Sequence, residues 1–288
     1  MKIAIASGKG GTGKTFVATN LFWVAQESGM PVTLVDCDAE EPNVAEFFSG
    51  KEQFAHGVFQ QVPVIDTERC TFCGKCFEYC NYNAIVFLPQ NNFIQVIPDL
   101  CHDCGACIYA CNAGAITEEP KLLGNVKAFS FNRHALLIES RSEIGVYSPV
   151  SVIKKAINEA DQKSLILMDS PPGISCPFIA TIDQADFVIL VTEPTPFGLH
   201  DLKLSAATVS QMKKPFGVVI NRAGLGNQEI YEWLEYNRVP LLLEIPFDKD
   251  IARIYSEGKV LAKETSTYQE VFSNLLKRIT HYYLSWSN

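Results

Sequence analysis

The chain has 288 residues, 47% hydrophobic and 19% charged, with a formal net charge of −8. That length suits one large domain or two unequal ones, and the composition is that of a folded globular protein, not a disordered one. An acidic chain lacks the clustered Lys and Arg that drive phosphate-backbone binding, which argues against a nucleic-acid partner; apolar runs such as FVILV at 187–191 fall far short of the roughly 20 residues of a membrane-spanning helix.

The chain opens on MKIAIASGKGG, with one positive charge and four apolar residues before the glycines. That is too short for the core of a secretory signal, so a cytoplasmic protein is expected. KIAIA (2–6) reads as a buried strand, and a helix-length segment follows at 15–28. Between them Gly8-Lys9-Gly10-Gly11-Thr12-Gly13-Lys14-Thr15 fits G-x-x-x-x-G-K-[ST] in the required strand-to-helix context. Glycines there let successive backbone N–H groups converge on phosphate oxygens at the positive end of the helix. Lys14 then bridges the β- and γ-phosphates, and the Thr15 hydroxyl holds Mg²⁺. A second buried strand, VTLVD (32–36), ends on Asp36, with Asp38 just beyond it. A carboxylate at a strand end lies where ligands bind in open α/β sheets, so Asp38 is expected to orient an attacking water. Asp36 either contacts the waters of the metal or closes its strand.

The alternation of strand and helix stops between about 62 and 120. Residues 63–120 read as an insertion, splitting the α/β domain into 1–62 and 121–288. Eight of the ten cysteines lie here. Cys70, Cys73, Cys76 and Cys80 have the spacing C-x2-C-x2-C-x3-C, and Cys101, Cys104, Cys107 and Cys111 repeat it. Three closely spaced thiolates wrap three corners of one [4Fe-4S] cube, and the fourth cysteine of each run reaches the other cube. One cluster is therefore expected on Cys70, Cys73, Cys76 and Cys111, and the second on Cys101, Cys104, Cys107 and Cys80. Zinc would want two separated C-x2-C pairs. The segment is acidic, with Asp66, Glu68, Glu78, Asp99, Asp103 and Glu118 against Arg69 and Lys75.

The α/β pattern resumes at NVKAFSFNRHALLIES (125–140). Buried-strand runs follow at LILMD (165–169), FVILVT (187–192), FGVVIN (216–221) and LLLEI (241–245), with helix-length segments between them. Runs of this kind, without polar alternation, predict a doubly wound, mostly parallel sheet between helices. Asp169, closing LILMD, is expected to order the Mg²⁺ hydration shell. The final segment, 268–286, carries apolar residues at Val271, Leu275, Leu276, Ile279 and Tyr283 and reads as a core-packed helix.

KGGTGKT with the extra lysine, Lys9, resembles the deviant Walker A motif of MinD/ParA/Mrp-type (SIMIBI) P-loop ATPases, whose members include the nitrogenase iron protein. DCDAEEPN (36–43) and DSPPGISC (169–176) resemble the two nucleotide-sensing switch segments of that class. The resemblance implies an ATP-dependent homodimer in which Lys9 reaches the partner's nucleotide. VVINR (218–222) and EIPFDKDI (244–251) resemble the adenine-contacting segments, which brings in Asn221, Arg222 and Pro246; the Asn221 amide can also pair with an adenine edge. The insertion resembles a bacterial two-cluster ferredoxin, except that Asn81 and Asn112 stand where proline is usual. The whole chain resembles MinD-superfamily ATPases with an inserted ferredoxin domain, which are often labelled cobyrinic acid a,c-diamide synthases; that activity needs a glutaminase, for which no stretch remains.

The expected function is ATP-gated electron transfer with an unidentified redox partner. A carrier ATPase for assembling iron–sulfur or other metal cofactors, with an assembly protein as partner, is one alternative. A redox-sensing regulatory ATPase is another. Cys176 sits where the nitrogenase iron protein carries one ligand of its subunit-bridging cluster, but no second cysteine lies upstream in ESRSEIGVY. Cys37 reads as a small apolar filler.

Overall fold

Strands buried on both faces account for the continuous apolar runs. The computed structural model of the chain describes residues 1–286. In chain order it runs β1 (Lys2–Ala6), α1 (Lys14–Glu27), β2 (Val32–Asp36), a 3₁₀ turn (Val44–Phe47) and a long strand β3 (Lys51–Ile65). Next come α2 (Lys75–Glu78), β4 (Ile85–Leu88), β5 (Phe93–Val96), α3 (Ala106–Ala110), β6 (Ile116–Ser130) and β7 (Ala135–Ser142). The chain continues through α4 (Val150–Glu159), β8 (Leu165–Asp169), α5 (Cys176–Asp183), β9 (Phe187–Thr192), α6 (Pro196–Gln211) and β10 (Phe216–Ala223). It closes with α7 (Glu229–Tyr236), β11 (Leu241–Pro246), α8 (Lys249–Ser256), α9 (Leu261–Glu264) and α10 (Ser266–Trp286).

Contacts divide the chain into two units. The larger holds Met1–His56, Asn125–Arg141 and the chain from Ser148 on; the smaller holds Gly57–Gly124 and Ser142–Tyr147. The sheet order is β11-β10-β9-β1-β8-β2-β7-β6-β3. The pairs β1 with β8 and β9, β10 with β9 and β11, and β2 with β7 and β8 are all parallel. This is the expected mostly parallel α/β sheet. β1 lies centrally, so the segment after it opens at the carboxyl ends of the strands, where such sheets bind ligands.

α1 is buried almost all round, because α10 and α9 close the side that the sheet does not. Phe16, Val17, Leu21 and Phe22 of α1 share one core with Phe272, Leu275, Leu276 and Ile279 of α10. The last helix is therefore core-packed, with Phe272 in the central position. Arg278 adds hydrogen bonds to the carbonyls of Leu242 and Leu241 at 2.6 and 2.9 Å. No helix among the described residues is long and apolar enough to cross a membrane.

The smaller unit contains an antiparallel hairpin of β4 and β5, pairing Ile85 with Val96 and Leu88 with Phe93. Its buried core is thin: Cys76, Ile85, Ile94 and Ile116, with Cys70, Cys80, Cys107 and Cys111 packed against it. The two cysteine runs repeat each other in backbone as well as in spacing. Phe72 and Asp103 have φ of 51° and 52°, and Gly74 and Gly105 have φ of 75° and 69°. Left-handed residues on both sides of each middle cysteine curl the chain, and the glycine then opens a short helix, α2 or α3.

Candidate functional site

The loop between β1 and α1 holds its shape through close backbone approach. Gly13 has φ of +101°, and a Cβ there would run into Nδ2 of Asn221. A Cβ on Gly8 would likewise meet the Asp201 carbonyl of α6. Gly13 needs glycine for its conformation and Gly8 for space. Asn221 Nδ2 donates to the Thr12 carbonyl at 2.9 Å, tying the loop to the end of β10.

Lys14 and Thr15, the first residues of α1, lie with the strand-end carboxylates. Thr15 Oγ1 donates to Asp169 Oδ2 at 2.6 Å. The other Asp169 oxygen, Oδ1, and the Thr12 hydroxyl are buried without hydrogen-bond partners among the described residues. Burial lowers the Lys14 pKa, against the opposing charges of Asp169 and Asp38. Burial raises the Asp169 pKa well above the ordinary range, against the Thr15 hydrogen bond and the Lys14 charge. Asp38 is raised by burial and held down chiefly by Lys14. One ammonium thus faces several carboxylates, and this deficit of positive charge with an orphaned carboxylate oxygen is what a divalent cation would satisfy.

Asp36 is 1% exposed and pairs in register with Asp169 on β8. Its oxygens accept from the backbone N–H groups of Asp38 at 3.1 Å, Asn43 at 2.9 Å and Val44 at 3.0 Å. These three bonds make it the clamp of the 38–44 segment. Burial, then repulsion from Asp169, raise its pKa despite those donors. Asp36→Ala should accelerate amide exchange at Asn43 and Val44 by roughly ten-fold, the worth of a lost hydrogen bond of about 1 to 1.5 kcal/mol. Global stability should change little, because repulsion of Asp169 is relieved together with the bonds. Hydrogen exchange with urea unfolding checks both; unchanged exchange at Asn43 and Val44 would remove the clamp role.

Beside the loop opens a cavity of about 380 Å³ lined by Gly11, Gly13, Asn221, Arg222 and Pro246 of the expected residues. Phe16, Phe247, Ile251 and Tyr255 line it too. Tyr255 is set edge-on to Phe16 and stacked on Phe47 of the 3₁₀ turn. Burial, then the Asp169 charge, push its phenol up to about 12. Phe247 and Ile251 fall within the expected EIPFDKDI segment, whereas sequence reasoning missed Phe16 and Tyr255, although Ile251 and Tyr255 stand four apart on α8 and so share a face. Glu193 was also missed. Lys9 does not join Lys14; its ammonium pairs with Glu193 at 2.6 Å.

In the smaller unit the eight cysteines sort into two sets. Cys70, Cys73 and Cys76 line one cavity together with Cys111. Cys101, Cys104 and Cys107 line another together with Cys80. Backbone N–H groups of Phe72, Ala84 and Ala115 point at the sulfurs of Cys70, Cys80 and Cys111 at 3.4, 3.3 and 3.3 Å. Donors aimed at sulfur suit thiolates more than thiols. Burial pushes Cys107 up to about 11 and also raises Cys76, a cost that coordination by a cation would reverse. No three His, Cys, Asp or Glu side chains among the described residues are gathered as for a single metal ion. A cube asks for something else, since each of its four thiolates binds a different iron. The residues present fit two such groups.

Cys37 is fully buried, and burial followed by the Asp36 charge raises its pKa well above the ordinary thiol value. Cys176, at the start of α5, is exposed.

Comparison with known proteins places this geometry among relatives. The family model described as "CobQ/CobB/MinD/ParA nucleotide binding domain" matches residues 3–261. An uncharacterized protein of Methanocaldococcus jannaschii is 31% identical over 282 residues, 95% of this chain and 97% of that protein. An iron-sulfur cluster carrier protein of Pyrococcus abyssi is 24% identical over 228 residues, 76% of this chain and 60% of that protein. Among solved structures, the cell division ATPase MinD of Pyrococcus furiosus matches with a TM-score of 0.58 at 22% identity, over 97% of this chain and 98% of that one.

Proposed function

The chain belongs to the CobQ/CobB/MinD/ParA nucleotide-binding family, and from that premise we propose that it is a cytoplasmic, Mg²⁺-dependent ATPase that gates electron transfer through two [4Fe-4S] clusters carried in an inserted ferredoxin-like domain. The observation that carries this reading is the sorting of eight cysteines into two sets of three plus one, in a chain that also presents Lys14, Thr15 and Asp169 beside a phosphate loop.

In this reading the backbone of Gly8 to Thr15 and the Lys14 ammonium hold the phosphates of ATP. Thr15 and Asp169 would hold Mg²⁺, Asp169 by ordering its hydration shell, and the ion would neutralise charge on the phosphates. Asp38 orients the water that attacks the γ-phosphate, and ATP becomes ADP and phosphate. The cavity beside Phe16, Asn221, Pro246 and Tyr255 takes the base. Asp36 fixes the 38–44 segment so that a change at the phosphates moves it as one piece. A homodimer forms with nucleotide, and Lys9 of each copy serves the nucleotide of the other. The thiolates of Cys70, Cys73, Cys76 and Cys111, and of Cys101, Cys104, Cys107 and Cys80, hold the two clusters, which supply one-electron redox chemistry when bound. The N–H groups of Phe72, Ala84 and Ala115 stabilise the charge on their sulfurs.

Similarity to an iron-sulfur cluster carrier protein supports a second reading, delivery of a cluster to another protein. Against it, all eight cysteines of the smaller unit are taken up by the two proposed ligand sets, which suits resident cofactors and not cargo. The deciding measurement is a redox titration of the reconstituted protein in MgATP and in MgADP, with the rate of electron transfer to an acceptor. At least one potential, or that rate, should change with nucleotide, and the change should be absent in Lys14→Ala. Identical potentials and rates in both nucleotides would refute gating, and transfer of the cluster to an apo-acceptor would favour the carrier.

A further inference from the structure

Lys9 and Arg222 share one carboxylate. Glu193, immediately after β9, accepts from Lys9 Nζ at 2.6 Å on Oε1 and from Arg222 Nη1 at 2.9 Å on Oε2. Its side chain is only 14% exposed. Burial works to raise the Glu193 pKa, and the two cations outweigh it, so the carboxyl sits below its ordinary value. The anchor is rigid: the Glu193 carbonyl accepts from Thr195 N at 2.8 Å, and a Cβ on Gly198 would run into that same carbonyl.

Arg222 is fixed from the other side. It takes φ of +56°, an uncommon conformation for a residue with a Cβ, and its N–H donates to Asn221 Oδ1 at 2.9 Å. Asn221 in turn holds the phosphate loop through the Thr12 carbonyl. A continuous set of contacts therefore runs from the loop through Asn221, Arg222 and Glu193 back to Lys9. Lys9 and Arg222 are both part-exposed, at 30% and 48% of their side chains, and of the two Lys9 belongs to the phosphate loop itself.

We infer that Glu193 is a latch that holds Lys9 inside its own subunit, and that dimer formation requires Lys9 to exchange this carboxylate for the phosphates of the partner's nucleotide. The inference rests on the reading of Lys9 as a residue that acts across a dimer. Arg222 makes the exchange reversible. A half-buried carboxylate stripped of its only cation would carry a large penalty, but with Arg222 still bound at Oε2 it keeps a counter-charge when Lys9 leaves. Apparent affinity for the dimer is then reduced by the fraction of chains in which Lys9 is held, so the latch sets the nucleotide concentration at which two copies close. Glu193 acts through Lys9 and is a positioning residue.

Glu193→Gln keeps the shape and removes the charge. In the full-length reconstituted protein, the MgATP concentration for half-maximal dimer, read by light scattering, should fall roughly five-fold. Glu193→Asp, which keeps the anion, should lie between wild type and Glu193→Gln. Lys9→Ala combined with Glu193→Gln should abolish the gain, because the gain needs the released lysine. A nucleotide-free readout stands beside these: acylation of Lys9 by acetic anhydride, followed by mass spectrometry, should be several-fold faster in Glu193→Gln than in wild type. Unchanged Lys9 acylation in Glu193→Gln would overturn the latch. So would an unchanged dimer midpoint in a wild type that does dimerise with MgATP. A wild type that binds MgATP and stays monomeric overturns the dimer reading itself, and faster acylation in Glu193→Gln would then show that the ion pair exists without that role.

Discussion

Lys14→Ala should weaken MgATP binding by at least about 100-fold and slow phosphate release by about 10³-fold, the usual scale for removing a donor aimed at developing charge in a water-poor site. Lys14 is 7% exposed, and its neighbours are Asp169 and Asp38. It does two things there. It supplies the positive charge for the phosphates, and it offsets carboxylates that burial already pushes toward the neutral form. Its loss raises Asp169 and Asp38 further, so the cation site weakens together with the phosphate site. Titration with a fluorescent nucleotide and a phosphate-release assay check the two losses separately. If Lys14→Ala binds MgATP within about three-fold of wild type, this cleft is not the nucleotide site.

The second large effect concerns the cysteine that ends each run. Cys80→Ala should reduce reconstituted iron from about eight to about four per chain, and the cluster it removes is that of the other motif. Cys80 lines the cavity of Cys101, Cys104 and Cys107, whereas Cys111 lines that of Cys70, Cys73 and Cys76. In electron paramagnetic resonance, Cys80→Ala should therefore match Cys104→Ala, and Cys111→Ala should match Cys73→Ala. If Cys80→Ala instead groups with Cys73→Ala, each run binds its own cube and the crossed assignment is wrong. The Ala84 and Ala115 N–H groups each donate to the fourth cysteine of their run, Cys80 and Cys111, at 3.3 Å.

Much of the α/β framework was legible because it is made of doubly buried parallel strands. KIAIA, VTLVD, LILMD and FVILVT are apolar throughout or nearly so, and an uninterrupted run of that length has few other folded fates. β3 was not legible, and of β6 only the part from 125 on fell in a segment where the α/β pattern was expected to resume. Lys51–Ile65 mixes Lys, Glu, Gln, His and Gly with Val and Phe, and most of its outer residues are exposed or half-buried. Its extended form comes from partners distant in the chain, which no local pattern records. The short helix α5 was not read either, since of its residues only Cys176 falls in the DSPPGISC segment.

Residue chemistry divides along the same line. Spacing by itself pointed to the phosphate loop and to the first three cysteines of each run, which lie within a few residues of each other, whereas Cys80 and Cys111 each line the cavity of the other run. Only tertiary structure decided the partners of Lys9, Asp36 and Tyr255. Glu193 lies 184 residues from Lys9 and is joined to it by the adjacency of β9 to β1. Asp36 became a clamp because the chain after β2 returns its Asn43 and Val44 amides to the carboxylate. Tyr255 reaches Phe16 and Phe47 because α8 packs over the start of α1. A local motif carries its own geometry, whereas a long-range contact exists only once the sheet order and the burial of α1 have brought distant side chains within reach.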